Sequence, residues 1–217
     1  LAYKLVDLRA TLPRHPTRKW AKRKQILRII VHCTGGTNQD PFETNTYHIG
    51  PNHISKKGCP RICYADFIDK DGVVFHCNEY DDWTWHCGAW NKTSVGVVMA
   101  YPGGKEAPPQ VQYESLLEHL VKLCLFFTLQ PKVIYGHREV PGMVILLGNG
   151  SKKYKHICPG MAVDLSKLRK EVTLRLQKKL AGDGFYLAKI DGDFGSKSIA
   201  ALKAWKEEFL KKNGKTL

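Results

Sequence analysis

The sequence predicts an α/β protein: a mixed central β-sheet flanked by helices, with a small all-α domain at its C-terminal end. Three observations carry this. Apolar stretches rich in β-branched residues at 26–32, 93–101 and 132–137 read as buried strands. An apolar stripe with three-and-four spacing at 110–129 reads as an amphipathic helix between the last two. From about Lys170 the pattern changes to two helical segments joined by a Gly/Asp loop. Strands and helices in that order imply one mixed sheet with helices packed on it. The expected division is residues 1–168 and 169–217.

The totals agree with a globular chain. Its 217 residues are 43% hydrophobic and 25% charged, enough for one good core and a smaller domain. No apolar run approaches the eighteen or so residues that span a bilayer; LCLFFTL, 123–129, is far too short. The first residues, LAYKLVDLRATLPRHP, lack the apolar core of a signal peptide, so either none existed or it has been removed. The net charge of +14 calls for an acidic partner: nucleic acid, anionic lipid or an anionic cell-wall polymer. Residues 165–217 alone hold 13 Lys and Arg against 6 Asp and Glu; ordinary solubilising charge is the alternative. Seven cysteines without paired spacing favour reduced thiols. Disulfides among Cys59, Cys63, Cys77, Cys87 and Cys124 stay open.

In chain order, residues 1–24 are basic and Pro-punctuated, and are expected to form a surface arm. ILRIIVHCTGG, 26–36, is a strand delivering His32 to a Gly35-Gly36 turn. A short apolar run alone does not exclude a helix. Pockets open at such strand ends, although a satisfied structural histidine fits as well. Gly50-Pro51 interrupts any helix in the next segment, where His48 and His53 read as partly exposed structural histidines rather than ligands. CYADFIDKDGVVFHC, 63–77, is a hairpin turning at Lys70-Asp71-Gly72. WTWHCGAWN, 83–91, follows, then the strand TSVGVVMAY, 93–101. The 110–129 helix buries Tyr113, Leu116, Leu117, Leu120, Val121, Cys124 and Phe127 and stops at Pro131. KVIYGH is a strand ending in a second histidine, His137. Residues 138–156 read as a long loop with Pro141, Gly142, Gly148 and Gly150. Asp164 caps a helix from Leu165, and Ser196 or Ser198 caps the last helix.

Catalytic zinc takes three protein ligands and leaves a fourth position to water. His32 and His137 stand at strand ends, and Cys158 precedes a Pro-Gly turn. Their types suit zinc, but no CxxC or HExxH spacing singles them out, so structural roles remain open. A calcium site at IDGDFG is excluded. With Asp191 first in an EF-hand loop, the required Gly falls on Ser196 and the closing Glu on Leu202.

IIVHCTGG, CYADFIDKDGVV, HCGAWNKTSVGV, YGHREVPG and CPG occur in that order over roughly 26–168. Together they resemble the zinc-dependent N-acetylmuramoyl-L-alanine amidases of the type 2 family, phage endolysins of this kind and peptidoglycan recognition proteins included. The resemblance implies Zn2+ held by His32, His137 and Cys158. It implies Tyr64, seven residues before Asp71, as a catalytic residue that orients water or hydrogen-bonds the oxyanion. It implies hydrolysis of the amide joining N-acetylmuramic acid to L-alanine by zinc-activated water. Many phage members carry a lysine two residues before the last ligand. His156 stands there in this chain, with Lys155 beside it, and is the second expected catalytic residue. A further departure is Ala65-Asp66, where relatives often have His-Phe. His86, Asn91 and Ser94 are expected to shape the fold near the pocket, with His86 not a ligand. Cys33 and Cys63 read as structural thiols near the site. Trp83, Trp85 and Trp90 line a glycan groove or pack in the core.

Residues 171–211 resemble the helical peptidoglycan-binding module of wall hydrolases, on LQKKL, GFY, IDGDFG and the helix through Trp205. The expected protein is an endolysin, monomeric, held in the host cytoplasm until released to the wall. Its partners are bacterial peptidoglycan and the anionic wall surface, with no membrane span and no nucleic acid. The alternatives are a non-catalytic peptidoglycan-binding receptor, or a basic phage regulator binding nucleic acid or RNA polymerase.

Overall fold

In the computed structural model, residues 3–36, 39–146 and 152–214 are described. The chain divides into two compact units. One runs through residue 116 and resumes over Tyr135–Val163; the other comprises Leu117–Ile134 and the chain from Asp164.

The first unit is built on a six-stranded mixed sheet in the order β1-β4-β3-β5-β2-β6. Its strands are β1 (Leu5–Asp7), β2 (Arg28–Cys33), β3 (Asp66–Ile68), β4 (Val74–His76), β5 (Ser94–Met99) and β6 (Ile134–Gly136). β2 lies between β5 and β6, so both of its edges are paired. Its side chains alternate between the two faces of the sheet, and the consecutive Ile29, Ile30 and Val31 are all fully buried, so both faces are covered and the apolar run is unbroken rather than alternating. β2 and β5 pair in parallel with Ile30 opposite Gly96 and His32 opposite Val98. β3 and β4 form the expected antiparallel hairpin. Gly72 takes φ +81° in its turn, and a Cβ there would lie 2.9 Å from the Val111 carbonyl oxygen.

Helix α1 (Pro41–Ile49) starts where the Asp40 carboxylate accepts from the Glu43 N–H and stops at Gly50. Helix α2 (Gln110–Phe127) begins in the first unit. There the Gln112 side chain donates to the carbonyls of Ile68, Asp69 and Ala100 and ties the helix start to the sheet.

Two expectations for this unit need correction. Residues 1–24 are not a surface arm. β1 pairs in parallel with β4, Leu5 opposite Val74. Leu8 and Leu12 join Ile62, Phe67, Cys77, Val98 and Ala100 in one apolar cluster. The Arg61 guanidinium, 1% exposed, donates to the carbonyls of Arg9, Leu12 and Cys77 and fastens the segment from inside. Nor are residues 138–156 all loop: β7 (Val144–Leu146) and β8 (Lys152–Tyr154) pair antiparallel. Gly148 and Gly150 lie outside the described residues.

In the second unit α3 (Leu165–Gly182) is capped by Asp164, whose carboxylate accepts from Ser166 and Lys167. α3 is continuous through residues 168 and 169 and buries Leu165, Leu168, Val172, Leu176 and Leu180. Of the expected α2 stripe Leu116, Leu117, Leu120, Val121 and Cys124 are buried, with Leu123 and Leu125 in addition, whereas Tyr113 and Phe127 are only half-buried. α4 (Ser196–Asn213) has Gly195 at its N-cap and no side-chain cap, so neither serine serves. Ser198 is buried instead, its Oγ 3.2 Å from Gln177 Nε2. Gln177 also organises the loop that failed as a calcium site. Its Oε1 accepts from the N–H groups of Asp191 and Gly192, and its Nε2 donates to the Asp193 carbonyl. Among the described residues no helix is long and apolar enough to cross a membrane.

Candidate metal centre

β2 carries His32 to the end of the sheet, 1% exposed. β6, the neighbouring strand, ends at Gly136, and His137 opens a short 3-10 turn, His137–Glu139. Arg138 draws the third stretch in. Its N–H donates to the Cys158 carbonyl at 2.8 Å, and its buried guanidinium donates to the carbonyls of Gly160 and Val163. The residue beside one candidate ligand thus clamps the turn carrying another. Sequence reasoning gave Arg138 no role; its place in YGHREVPG was the available signal.

The result is that His32, His137 and Cys158 each present a donor atom within 4.8 Å of the others. His32 Nδ1 is 3.6 Å from Cys158 Sγ. Nitrogen and sulfur on a tetrahedral zinc stand about 3.5 Å apart, given the usual bond lengths. The Cys33 N–H donates to Cys158 Sγ at 3.2 Å, as it would to a thiolate ligand.

Electrostatics favour neutral imidazoles. Burial, reinforced by His137, His86 and His156, holds His32 well below the usual histidine range. Burial and His156 push His137 down to about 4. Both rings therefore keep a lone pair for a metal at neutral pH. The contact with Cys33, together with burial, pushes the Cys158 thiol well up. A dication beside the sulfur reverses that balance, because metal binding releases the thiol proton. The donor set, its spacing and its protonation fit zinc.

The other expected site residues surround this trio. The Tyr64 ring is 5.1 Å from the His32 ring, tilted by 51°. Burial, then the nearby thiols, hold its phenol well above the ordinary range, so it remains a proton donor. His156 is exposed and stacks on His137, centroids 5.2 Å apart and planes within 10°.

His86, expected only to shape the fold, is buried with its Nδ1 3.0 Å from His32 Nε2. Burial pushes it down to about 3. Asn91 Oδ1 accepts from the N–H groups of His86 and Cys87 and holds that turn.

His48 is not partly exposed: it is 3% exposed, its Nδ1 accepts from the Cys63 N–H, and its ring is 5.7 Å from Tyr64. His53 is exposed and bonds the Tyr47 hydroxyl. The three half-buried tryptophans each carry a cation: Arg18 over Trp85, Arg28 over Trp90 and Lys92 over Trp83. Trp85 also meets Trp20 edge-on at 5.2 Å. All seven cysteines are free.

The profile of the Amidase_2 family, N-acetylmuramoyl-L-alanine amidase, matches residues 22–161. The chain belongs to this amidase family. The matched span contains every candidate ligand, Tyr64 and His156. Comparison with curated proteins returns no match.

Solved structures share the fold. The endolysin amidase LysCS from Clostridium intestinale URNW superposes with a TM-score of 0.60 at 16% identity, covering 78% of this chain and 95% of its own. The Ph2119 endolysin of the Thermus scotoductus MAT2119 bacteriophage gives 0.53 at 18%, covering 78% and 99%. Drosophila peptidoglycan recognition protein SD gives 0.58 at 16%, covering 75% and 91%. The sheet-and-helix architecture expected from the sequence is therefore that of the amidase fold.

Proposed function

We propose that this amidase is a zinc-dependent peptidoglycan hydrolase that cleaves the amide between N-acetylmuramic acid and L-alanine. The observation that carries the reading is the convergence of His32, His137 and Cys158 on one point within the family-matched span. Those three residues would hold the metal. When bound, zinc supplies an acidified water and polarises the scissile carbonyl.

The chain's own groups do the rest. Tyr64, kept protonated, donates from its Oη to the oxygen on which charge develops. His156, on the open side of His137, offers an imidazole N–H to the same oxyanion or a proton to the departing L-alanine nitrogen. Buried His32 stays neutral and fixed in orientation, so the centre needs little rearrangement when substrate arrives.

The basic segment 169–217 is assigned to wall binding. It carries most of the Lys/Arg surplus of residues 165–217, and an anionic polymer is the partner that such charge attracts. Its site of action on this reading is the bacterial wall. A non-catalytic receptor is the second reading, kept in view because peptidoglycan recognition proteins share the fold. The complete ligand trio favours catalysis over it.

Digestion of purified peptidoglycan decides between them. New L-alanine amino termini without new reducing sugars support the amidase. New reducing ends indicate a glycosidase, and wall binding with no cleavage leaves the receptor.

A further inference from the structure

A directed hydrogen-bond chain runs from the backbone into the metal centre. It begins at the Trp90 carbonyl, which can only accept. Ser94 Oγ lies 2.7 Å away and gives its single proton there. With that proton committed, Ser94 Oγ offers only lone pairs to His86 Nε2, 3.2 Å away. The Ser94 carbonyl, 3.4 Å from the same nitrogen, likewise only accepts. Both neighbours therefore require the proton of His86 to sit on Nε2.

A neutral imidazole has one N–H, so His86 Nδ1 is bare and must accept. Its partner is His32 Nε2 at 3.0 Å, and His32 supplies the proton. His32 Nδ1 then keeps its lone pair, and this is the nitrogen 3.6 Å from Cys158 Sγ. The reverse polarity would break the 2.7 Å bond to Trp90 and set the His86 Nε2 lone pair against a carbonyl oxygen. The Cys87 thiol, 3.4 Å from Ser94 Oγ and 3.8 Å from His86 Nε2, is too weak a partner to reverse it.

Space for the relay is built into β5. A Cβ at Gly96 would stand 2.8 Å from His86 Nδ1, so a side chain there would displace the ring.

We infer that His86 and Ser94 are positioning residues: their hydrogen-bond polarity fixes the tautomer of His32 and presets its Nδ1 lone pair toward His137 and Cys158. This rests on the zinc reading above and names two residues that serve it without touching the metal.

The test has two arms. Long-range 1H–15N correlation on 15N-labelled, metal-free protein reports the His32 tautomer directly. The proton is expected on Nε2; finding it on Nδ1 overturns the inference. The second arm measures zinc affinity by competition with a chromophoric chelator. His86→Leu removes the acceptor and should weaken zinc about 10- to 100-fold, as loss of such outer partners does. His86→Asn places Oδ1 where Nδ1 stood and should stay within about threefold of wild type. Ser94→Ala should cost only a few-fold, because the Ser94 carbonyl still receives the Nε2–H. Wild-type zinc affinity in a folded His86→Leu overturns the inference. If that variant does not fold, the wild-type tautomer and the Asn rescue decide. A wild type that binds no zinc yet shows the Nε2–H tautomer supports the relay while refuting the zinc reading.

Discussion

The imidazole of His156 lies flat against that of His137, centroids 5.2 Å apart and planes within 10°. One ring is a candidate ligand and is half-buried; the other is exposed. His156 can therefore reach substrate without competing for the metal. His156→Ala should keep fold and zinc and lose about a hundredfold in kcat, with KM much less changed. His156→Lys should recover part of the loss, because an ammonium stabilises the same oxyanion. Near-wild-type kcat in His156→Ala, with a large fall in Lys155→Ala, would move the role to Lys155.

Metal analysis of the purified protein should find about one zinc per chain. Cys158→Ala leaves two imidazoles, too few for a stable centre, so zinc and amidase activity should vanish together. A metal-free preparation with full activity would end the zinc mechanism.

His48 makes acid stability predictable. Its Nδ1 accepts from the Cys63 N–H, and burial lowers it from 6.5 to about 4. Below pH 6.5 the unfolded chain takes up this proton and the folded chain does not. Stability is therefore full above pH 6.5 and declines as pH falls toward 4, by about 3 kcal/mol for this group. His48→Asn keeps an acceptor but cannot titrate. Urea unfolding of both proteins from pH 7.5 to 4.5 should show a shallower decline in the variant; parallel curves would remove His48 as the cause.

Arg61 holds three main-chain carbonyls from the interior. Arg61→Met fills similar volume but leaves those acceptors unpaired, which should cost about 2–4 kcal/mol. Limited proteolysis should then cut first within residues 9–17. Unchanged stability and cleavage would mean that the apolar packing of Leu8 and Leu12 suffices.

The wall-binding assignment is best tested without cutting the chain, because α3 runs unbroken through residue 168. Lys203, Lys211 and Lys212 are exposed on α4. Reversing all three to Glu should leave zinc content unchanged and weaken retention on insoluble wall severalfold at low salt, with the difference shrinking as salt rises. Equal retention at low salt would refute a charge-driven role.

The sequence by itself determined the buried strands around 29–31 and 95–99, the hairpin at Gly72, the α2 stripe and the Asp164 cap. Each is written in residues adjacent along the chain or one helical turn apart, where periodicity and turn chemistry act. It also placed His32 and His137 at strand ends. The tertiary structure alone decided what those ends meet. His32 and Cys158 are separated by more than a hundred residues, and no spacing between them carries information. They meet because β2 and β6 are neighbours in the sheet and Arg138 grips the Cys158 turn. The same holds for β1, whose three residues are too few for a pattern and gain strand form only from the β4 edge. It holds for Ser198, drawn away from capping by Gln177, and for His86, whose role depends on which atoms of Ser94 and His32 lie beside its two nitrogens. Local order follows from near neighbours, whereas hydrogen-bond direction and ligand geometry exist only once distant segments are packed together.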